Sequence, residues 1–324
     1  MITKLSVSNF KSVRQLDIEC KKINLFIGEP NTGKSNILEA LALMSWAPSP
    51  IQNLGNYVRF QSTQNLFYDH LVDHEIHISL SLSHGILDTG LYVRFVNDRF
   101  EFRIEPSGAL ATIDYEGRFA GGQVVQQTGD IKFFRFKNLP NYTDATPGAL
   151  KPPDGANLFS VVFGSENLRE TMKEFFRKYG LKLFMKPQER VFELVKQADD
   201  SLISYPYTLA SDTLRRIIFY TVAIASNKDS ALVFEEPESN AFPYYTKYLG
   251  ERIALDQTNQ FFIATHNPYL LSAVIEKARK EDVRVFITYF KDFQTRVKPL
   301  TPDHVAELME ADPFFNLDRF IEEE

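Results

Sequence analysis

Residues 28–35 read Gly28-Glu29-Pro30-Asn31-Thr32-Gly33-Lys34-Ser35, a complete G-x-x-x-x-G-K-[ST] loop. A loop of this kind wraps phosphates with successive backbone N–H groups, so a buried strand must enter it and a helix must begin where it ends. Both are present. Ile23, Leu25, Phe26 and Ile27 form a short apolar run of strand type, and residues 36–43, opening on Asn36, carry apolar side chains at helical spacing. In such a loop the lysine, here Lys34, reaches the β- and γ-phosphates, and the Ser35 hydroxyl is placed to ligate Mg²⁺. The plain structural alternative is a glycine turn entering a core helix, and the strand–loop–helix context weighs against it. The loop points to a nucleoside triphosphatase that uses Mg²⁺.

Hydrolysis also needs a carboxylate pair at the end of another strand, one to complete the metal site and one to polarise the attacking water. Ala231, Leu232, Val233 and Phe234 are continuously apolar, as a parallel strand covered on both faces should be, and they run into Glu235, Glu236, Pro237 and Glu238. Glu235 is the expected metal ligand and Glu236 the expected water-activating acid. A second apolar strand, residues 260–265, ends at His266, where nucleotide sites in such sheets collect their side chains. His266 is expected to contact the γ-phosphate or the attacking water.

The chain has 324 residues, of which 44% are apolar, enough for one large α/β domain or two smaller ones. A net charge of −6 gives no basic footprint for nucleic acid, although a local patch could still take DNA. The single cysteine, Cys20, excludes an internal disulfide and fits a reducing compartment. No segment approaches the roughly 18 apolar residues of a membrane span, and residues 1–8 alternate like a strand rather than reading as an export leader. A cytoplasmic protein without membrane contact is expected.

Along the chain, residues 1–47 read strand, turn, strand, strand, phosphate loop, helix, with Pro48 and Pro50 closing the helix. Residues 75–137 break into short alternating runs separated by Asn-Asp, Pro-Ser-Gly and Gly-Gly turns, the pattern of an antiparallel β insert whose last run is residues 131–137. Residues 165–179 form an amphipathic helix with Leu168, Met172, Phe175 and Phe176 inward and Gly180 at its end. From Tyr207 the chain is α/β again and finishes in strands at 283–289 and 295–300 before a short helical tail. The expected domains are a core of residues 1–50 and 205–324, with 51–204 inserted as a β-rich lobe and helical region. Asp69, His70, Asp73, His74 and His77 include metal-ligand types at close spacing, but His77 should point outward from a strand whose Ile76, Ile78 and Leu80 point inward, so a solvated strand entrance is the favoured reading. Phe133, Phe134 and Phe136 are expected to pack the insert.

Taken in order, Phe10-Lys11-Ser12, the phosphate loop with Asn36-Ile37-Leu38-Glu39-Ala40-Leu41, Glu235-Glu236-Pro237-Glu238 and Ala264-Thr265-His266-Asn267-Pro268 resemble the ABC-type ATPases of the RecF, SMC and OLD group, in particular their small AAA-labelled members. The resemblance covers both ends of the chain and leaves about residues 50–200 without specific motifs. It implies an α/β P-loop NTPase with an ABC-type head: a mixed, largely parallel core sheet, an antiparallel β insert and a helical subdomain. It also implies ATP sandwiched between two subunits head to tail, with Lys34 and Ser35 as the Walker A pair, Glu235 and Glu236 as the Walker B and catalytic acids, His266 as the switch histidine and residues 239–241 as the D-loop.

The family's signature, Leu-Ser-x-Gly, is represented by Leu209-Ala210-Ser211-Asp212 before a helix at 217–225, with Ser211 as signature serine and N-cap, and with no glycine after it. Asp212 would repel a γ-phosphate, and Arg215 or Arg216 would offset it. A standard dimer with a variant signature is favoured over weak ATP-dependent pairing or another oligomer. A glutamine that senses Mg²⁺ is also implied, and Gln61 and Gln64 both lie in a suitable interval. OLD-type nucleases append a long acidic domain for which too few residues follow His266, so nuclease or toxin output would come from a separate effector chain, as in two-component bacterial defence systems. The expected function is ATP hydrolysis whose nucleotide state drives dimerisation and partner control, in DNA repair or defence. The rival readings are a slowly hydrolysing regulatory scaffold for an effector, and a small-molecule kinase sharing only the phosphate loop.

Overall fold

A computed structural model describes residues 1–48, 52–83, 88–123, 131–310, 314–315 and 317–321. The chain opens with β1 (Ile2–Phe10), β2 (Val13–Glu19), β3 (Ile23–Ile27) and α1 (Lys34–Trp46), then runs through β4 (Ile76–Leu82), β5 (Thr89–Val96), β6 (Arg99–Glu105), β7 (Ala109–Ile113), β8 (Phe119–Gly122) and β9 (Ile131–Phe134). A middle region holds α2 (Leu158–Phe163), α3 (Glu166–Arg177), β10 (Lys182–Lys186), β11 (Val191–Ala198) and β12 (Ser201–Pro206). The last third comprises α4 (Asp212–Ser226), β13 (Ala231–Glu235), α5 (Pro243–Leu255), β14 (Gln260–Ala264), α6 (Pro268–Lys277), β15 (Val283–Lys291), β16 (Gln294–Pro299), α7 (Pro302–Glu310) and α8 (Leu317–Ile321).

A six-stranded sheet in the order β16-β15-β3-β14-β13-β9 is the centre of the molecule, with β15, β3, β14, β13 and β9 parallel and β16 antiparallel at one edge. Its strands are apolar on both faces because both faces are covered. Leu25, Ile27, Leu232, Phe234, Phe261 and Ile263 pack into one core with α4, α5 and α6. Their neighbours Phe26, Phe133, Val233, Phe262 and Phe286 pack into the other, against α1 and a seven-stranded sheet ordered β2-β1-β4-β5-β6-β7-β8. The strand period of two thus divides one hydrophobic run between two cores. This is the α/β head architecture expected, with an antiparallel lobe and a helical region.

Three expectations change. Residues 131–137 do not close the antiparallel lobe: β9 pairs in parallel with β13, matching Phe134 to Phe234, so Phe133 and Phe134 belong to the core sheet. The sheets therefore cross the expected partition twice, since β1 and β2 lie with β4–β8 while β9 lies with the core strands. Residues 182–206 form a separate antiparallel sheet, β10-β11-β12, that the helical reading of this region did not include. The α1 helix ends on Ala47, and Pro50 lies outside the described residues. The helix expected at 165–179 is α3, closed by Gly180 at φ 70°; at its start the Ser165 side chain accepts from the Leu168 N–H.

Phe234 sits where the core layers meet, with ring centroids of Tyr220 at 4.9 Å, Phe261 at 6.1 Å and Phe134 at 6.2 Å. Phe234→Ala should lower unfolding stability by about 3–5 kcal/mol, measured by chemical denaturation; a loss of less than ~1 kcal/mol would contradict this packing.

Candidate functional site

The parallel register decides what meets at the carboxyl edge of the sheet. Glu235 pairs with Ala264, Ala264 with Phe26, and Phe286 with Phe26. The chain therefore leaves β3 into the phosphate loop, β13 into Glu236 and β14 into Thr265 and His266 at one level.

Gly28 and Gly33 are required there. Gly28 has φ +150° and a Cβ on it would lie 2.3 Å from the Thr288 carbonyl oxygen; Gly33 has φ +95° and a Cβ would lie 1.9 Å from Thr295 Oγ1. The β15–β16 hairpin thus seats the loop from below. Thr32 and Thr288 hydroxyls are 2.8 Å apart, the Thr288 hydroxyl is 3.0 Å from the Ile27 carbonyl, and Thr295 and Ser12 hydroxyls are 2.6 Å apart. Asn36 Nδ2 donates to Ser12 Oγ at 2.6 Å, which joins the turn after β1 to the helix. Glu29, Pro30 and Asn31 form the exposed rim, with Asn31 at φ 62°. Gly33 is the N-cap of α1 and no side chain caps the helix, so its first N–H groups face the loop. Lys34, buried at the first helical position, donates to the carbonyls of Gly28 and Glu29, each at 2.7 Å. Burial lowers its pKa, opposed by the nearby Glu236 and Glu29 carboxylates.

Opposite Lys34 is an ionic cluster. Burial pushes the Glu235 carboxyl up, but a hydrogen bond from Ser35 together with Arg59 and Arg135 outweighs it and holds Glu235 below its usual value. Arg135 Nη2 lies 2.9 Å from Glu235 Oε2, and Arg59 Nη2 lies 3.3 Å from Oε1. Arg59 also reaches the wholly buried Glu39 through Nε at 2.7 Å, and Lys11 forms a second ion pair with Glu39. The buried Glu39 and the partly buried Glu235 are thereby compensated by three cations, the condition under which such charges survive burial. A serine hydroxyl held against an ionised carboxylate is a donor set that fits Mg²⁺, so Ser35 and Glu235 are together as a metal site would require.

Glu236 leaves the strand at φ 42°, a left-handed backbone conformation uncommon for glutamate. Its N–H donates to the Ala264 carbonyl at 2.9 Å, its Oε1 lies 3.1 Å from His266 Nδ1, and the Ser239 hydroxyl donates to its Oε2 at 3.2 Å. Acid and histidine come from different strands and meet at a partly exposed surface. Two residues on, Glu238 is 2% exposed and accepts from the Thr265 hydroxyl through Oε1. Burial raises its carboxyl to about 7, against the Thr265 hydrogen bond, which lowers it.

Ser211 stands exposed at the N-cap of α4, but its side chain caps nothing, contrary to its expected double role; its carbonyl accepts from Arg215 N–H at 3.1 Å. Asp212 is approached by Arg215 Nη2 at 3.5 Å and Arg216 Nε at 3.6 Å, so both arginines turn toward it. Thr213 Oγ1 donates to the Asn240 carbonyl at 2.8 Å, tying α4 to residues 239–241. Gln64 donates its side chain to the His70 carbonyl at 3.2 Å, and Gln61 is exposed with its backbone N–H on Asn65. From that segment it is Arg59 that enters the cluster. His77 stacks on Tyr92 at 4.3 Å.

Sequence reasoning missed Arg59, Arg135, Glu238, Thr288 and Thr295. Arg135 had a signal: it follows Phe133-Phe134 as Glu235 follows Val233-Phe234, an apolar run ending in charge at a strand's carboxyl end.

Comparison with known proteins bears on the family and the fold. A family profile described as "AAA ATPase domain" matches residues 1–89, and one described as "AAA domain, putative AbiEii toxin, Type IV TA system" matches residues 99–272. Among curated proteins none matches the chain. Among solved structures, an SMC head bound to the C-terminal winged-helix domain of ScpA is 14% identical with a TM-score of 0.57, covering 93% of this chain and 98% of that one. An SMC head with an extended coiled coil bound to the C-terminal domain of ScpA, derived from Pyrococcus furiosus, is 12% identical with a TM-score of 0.54, covering 95% and 98%. These likenesses show the fold of an SMC-type head. No helix among the described residues is long and apolar enough to cross a membrane.

Two measurements check the site. Gly33→Ala, which forces a methyl into Thr295 at positive φ, should weaken ATP binding about tenfold or more while circular dichroism stays native; unchanged affinity in a fluorescent-nucleotide titration would contradict the geometry. The Glu238 pKa is raised above the usual 4.5, so its neutral form favours the fold; this contribution is complete below about pH 4.5 and is lost as pH rises through about 7. Glu238→Gln should flatten that fall, making the variant more stable than wild type at pH 8 by about 3 kcal/mol; parallel stability–pH curves would contradict it.

Proposed function

The chain belongs to the AAA-domain family whose profile spans more than half of it, and on that premise we propose that it binds and hydrolyses ATP with Mg²⁺ in an ABC-type head, that ATP pairs two such heads, and that the pairing controls a separate effector protein. The observation that carries the reading is the Glu236–His266 contact of 3.1 Å, made between two strand ends in register with the phosphate loop. A structural acid–histidine pair has no need of a neighbouring Gly28–Ser35 loop with uncapped helix N–H groups.

Backbone N–H groups of Thr32 to Ser35 and the rim residues Glu29, Pro30 and Asn31 enclose the phosphates, with Asn36 bracing the loop through Ser12. Lys34 exchanges its carbonyl partners for β- and γ-phosphate oxygens and offsets charge developing in the transition state. Ser35 and Glu235 would hold Mg²⁺, and Arg59 and Arg135 favour the ionised form of Glu235. When bound there, Mg²⁺ would supply positive charge to offset that of the phosphates. Glu236 orients the attacking water and accepts its proton, and His266 holds Glu236 on one side and contacts the γ-phosphate on the other. Ser211 contributes its free hydroxyl to the nucleotide of the opposite head.

A slow hydrolytic scaffold is the second reading, and Asp212 favours it: a carboxylate directly after Ser211, in a segment that lacks the signature's glycine, opposes a γ-phosphate even with Arg215 and Arg216 drawn toward it. The net charge of −6 favours a protein effector over DNA as the controlled partner. DNA repair is retained as the competing setting, and DNA-stimulated turnover is its signature.

Phosphate release by wild type, Lys34→Ala and Glu236→Gln tests the chemistry. Lys34→Ala should lose ATP binding. Glu236→Gln should bind ATP within about threefold of wild type and lose turnover by roughly 10²-fold or more. Equal turnover of Glu236→Gln and wild type would remove Glu236 from catalysis, and γ-phosphate transfer to a small acceptor would replace hydrolysis by a kinase reaction.

A further inference from the structure

Glu238 is a buried carboxyl for which the proposed hydrolysis has no step. It does not face the phosphate loop: its Oε1 accepts the Thr265 hydroxyl hydrogen bond, its Oε2 is buried without a hydrogen-bond partner, and its backbone carbonyl accepts from Ala241 N–H at 2.8 Å. Thr265 is fully buried, and its hydroxyl also accepts from Asn267 N–H at 3.0 Å. Asn267 in turn caps α6, accepting from Tyr269 N–H at 2.9 Å and Leu270 N–H at 3.3 Å. The turn that carries His266 is thus fixed at both flanks, by Glu238 before it and by the α6 cap after it.

The other side of the pair is also held from Glu238's turn. Glu236 is joined to Ala264 through its backbone and to Ser239 through its side chain, and Asn240, one residue further, accepts the Thr213 hydroxyl of α4. Between the Glu236 turn and the His266 turn, the described residues make two links beyond the strand ladder besides the Glu236–His266 contact itself: the backbone bond at Ala264 and the Glu238–Thr265 side-chain bond. His266 is 60% exposed at its side chain, so packing does little to orient it. The backbone of residues 265–267 therefore sets where its ring stands opposite Glu236, and the 3.1 Å contact with Glu236 completes its orientation.

We propose that Glu238 is a positioning residue for the hydrolytic pair: by clamping Thr265 it sets the distance and angle between His266 and Glu236. It touches neither nucleotide nor water and acts only through His266. A buried group that merely holds the fold together would change stability and leave the chemistry of the pair alone; a clamp of this kind changes turnover with ATP binding unaltered. The proposal rests on the hydrolytic reading above.

The test is a kinetic cycle on the full-length chain with ATP and Mg²⁺. Glu238→Ala should lower kcat by roughly 30-fold or more with KM and ATP affinity within about threefold of wild type. Glu238→Gln, which keeps an oxygen to accept from Thr265, should retain kcat within about threefold. Thr265→Val, which removes the other half of the clamp, should reproduce the Glu238→Ala loss and supplies the same test if the alanine variant does not fold. In a His266→Ala background, Glu238→Ala should cost nothing further, because its effect passes through the missing imidazole. Unchanged kcat in both Glu238→Ala and Thr265→Val, or full additivity with His266→Ala, overturns the inference while wild-type turnover stands. A wild type that binds ATP without hydrolysing it overturns the hydrolytic reading, and this one with it.

Discussion

The register of four parallel strands is the constraint on which the rest of this structure depends. With Phe134 opposite Phe234, Glu235 opposite Ala264 and Ala264 opposite Phe26, the residues that follow each strand emerge at one edge: Arg135, Glu236, Thr265 and the phosphate loop. A slip of one residue in β13 would turn Phe234 from one core to the other and carry Glu235 away from Ser35, so packing and chemistry are set by one choice. The two cores on either side of the sheet enforce it, since each accepts only its own half of the alternating side chains.

That edge is costly to build. Glu39 is a buried carboxylate and Glu235 a partly buried one, and leaving Glu39 unpaired would cost several kcal/mol. Lys11, Arg59 and Arg135 come from the turn after β1, the segment after α1 and the end of β9, so the ionic cluster also fastens the antiparallel lobe to the core sheet. Backbone strain collects at the same place, with Glu236 at φ 42° and Asn31 at φ 62°. Conformations of this kind persist where surrounding hydrogen bonds over-determine them, and here the Ala264 carbonyl and the threonines of β15 and β16 supply those bonds.

How much of this was legible in the sequence follows from contrast and range. The phosphate loop could be found from its own glycine–lysine–serine spacing, and Glu235, Glu236 and His266 because they stand at the ends of short, largely apolar runs, which mark the ends of buried strands. β9 has four residues, too few to distinguish a buried parallel strand from the last strand of a hairpin array, so Arg135 was assigned to the wrong sheet. The β10-β11-β12 sheet escaped because β12 is largely exposed and the inward alternation of β11 is confined to Phe192 and Leu194. Arg59 and Glu238 were invisible for another reason: their meaning lies in partners 20 or more residues away, Glu39 for the first and Thr265 for the second, and no local pattern encodes such a pairing.

The central claim is that nucleotide held at this edge joins two heads. It is tested most directly by the solution mass of Glu236→Gln, measured by light scattering with and without Mg²⁺ and ATP, because blocked hydrolysis leaves the nucleotide in place. The account predicts a monomer without ATP and a dimer with it, Ser211 then serving despite Asp212 beside it. A mass that does not respond to ATP, in protein shown to bind it, would contradict the claim.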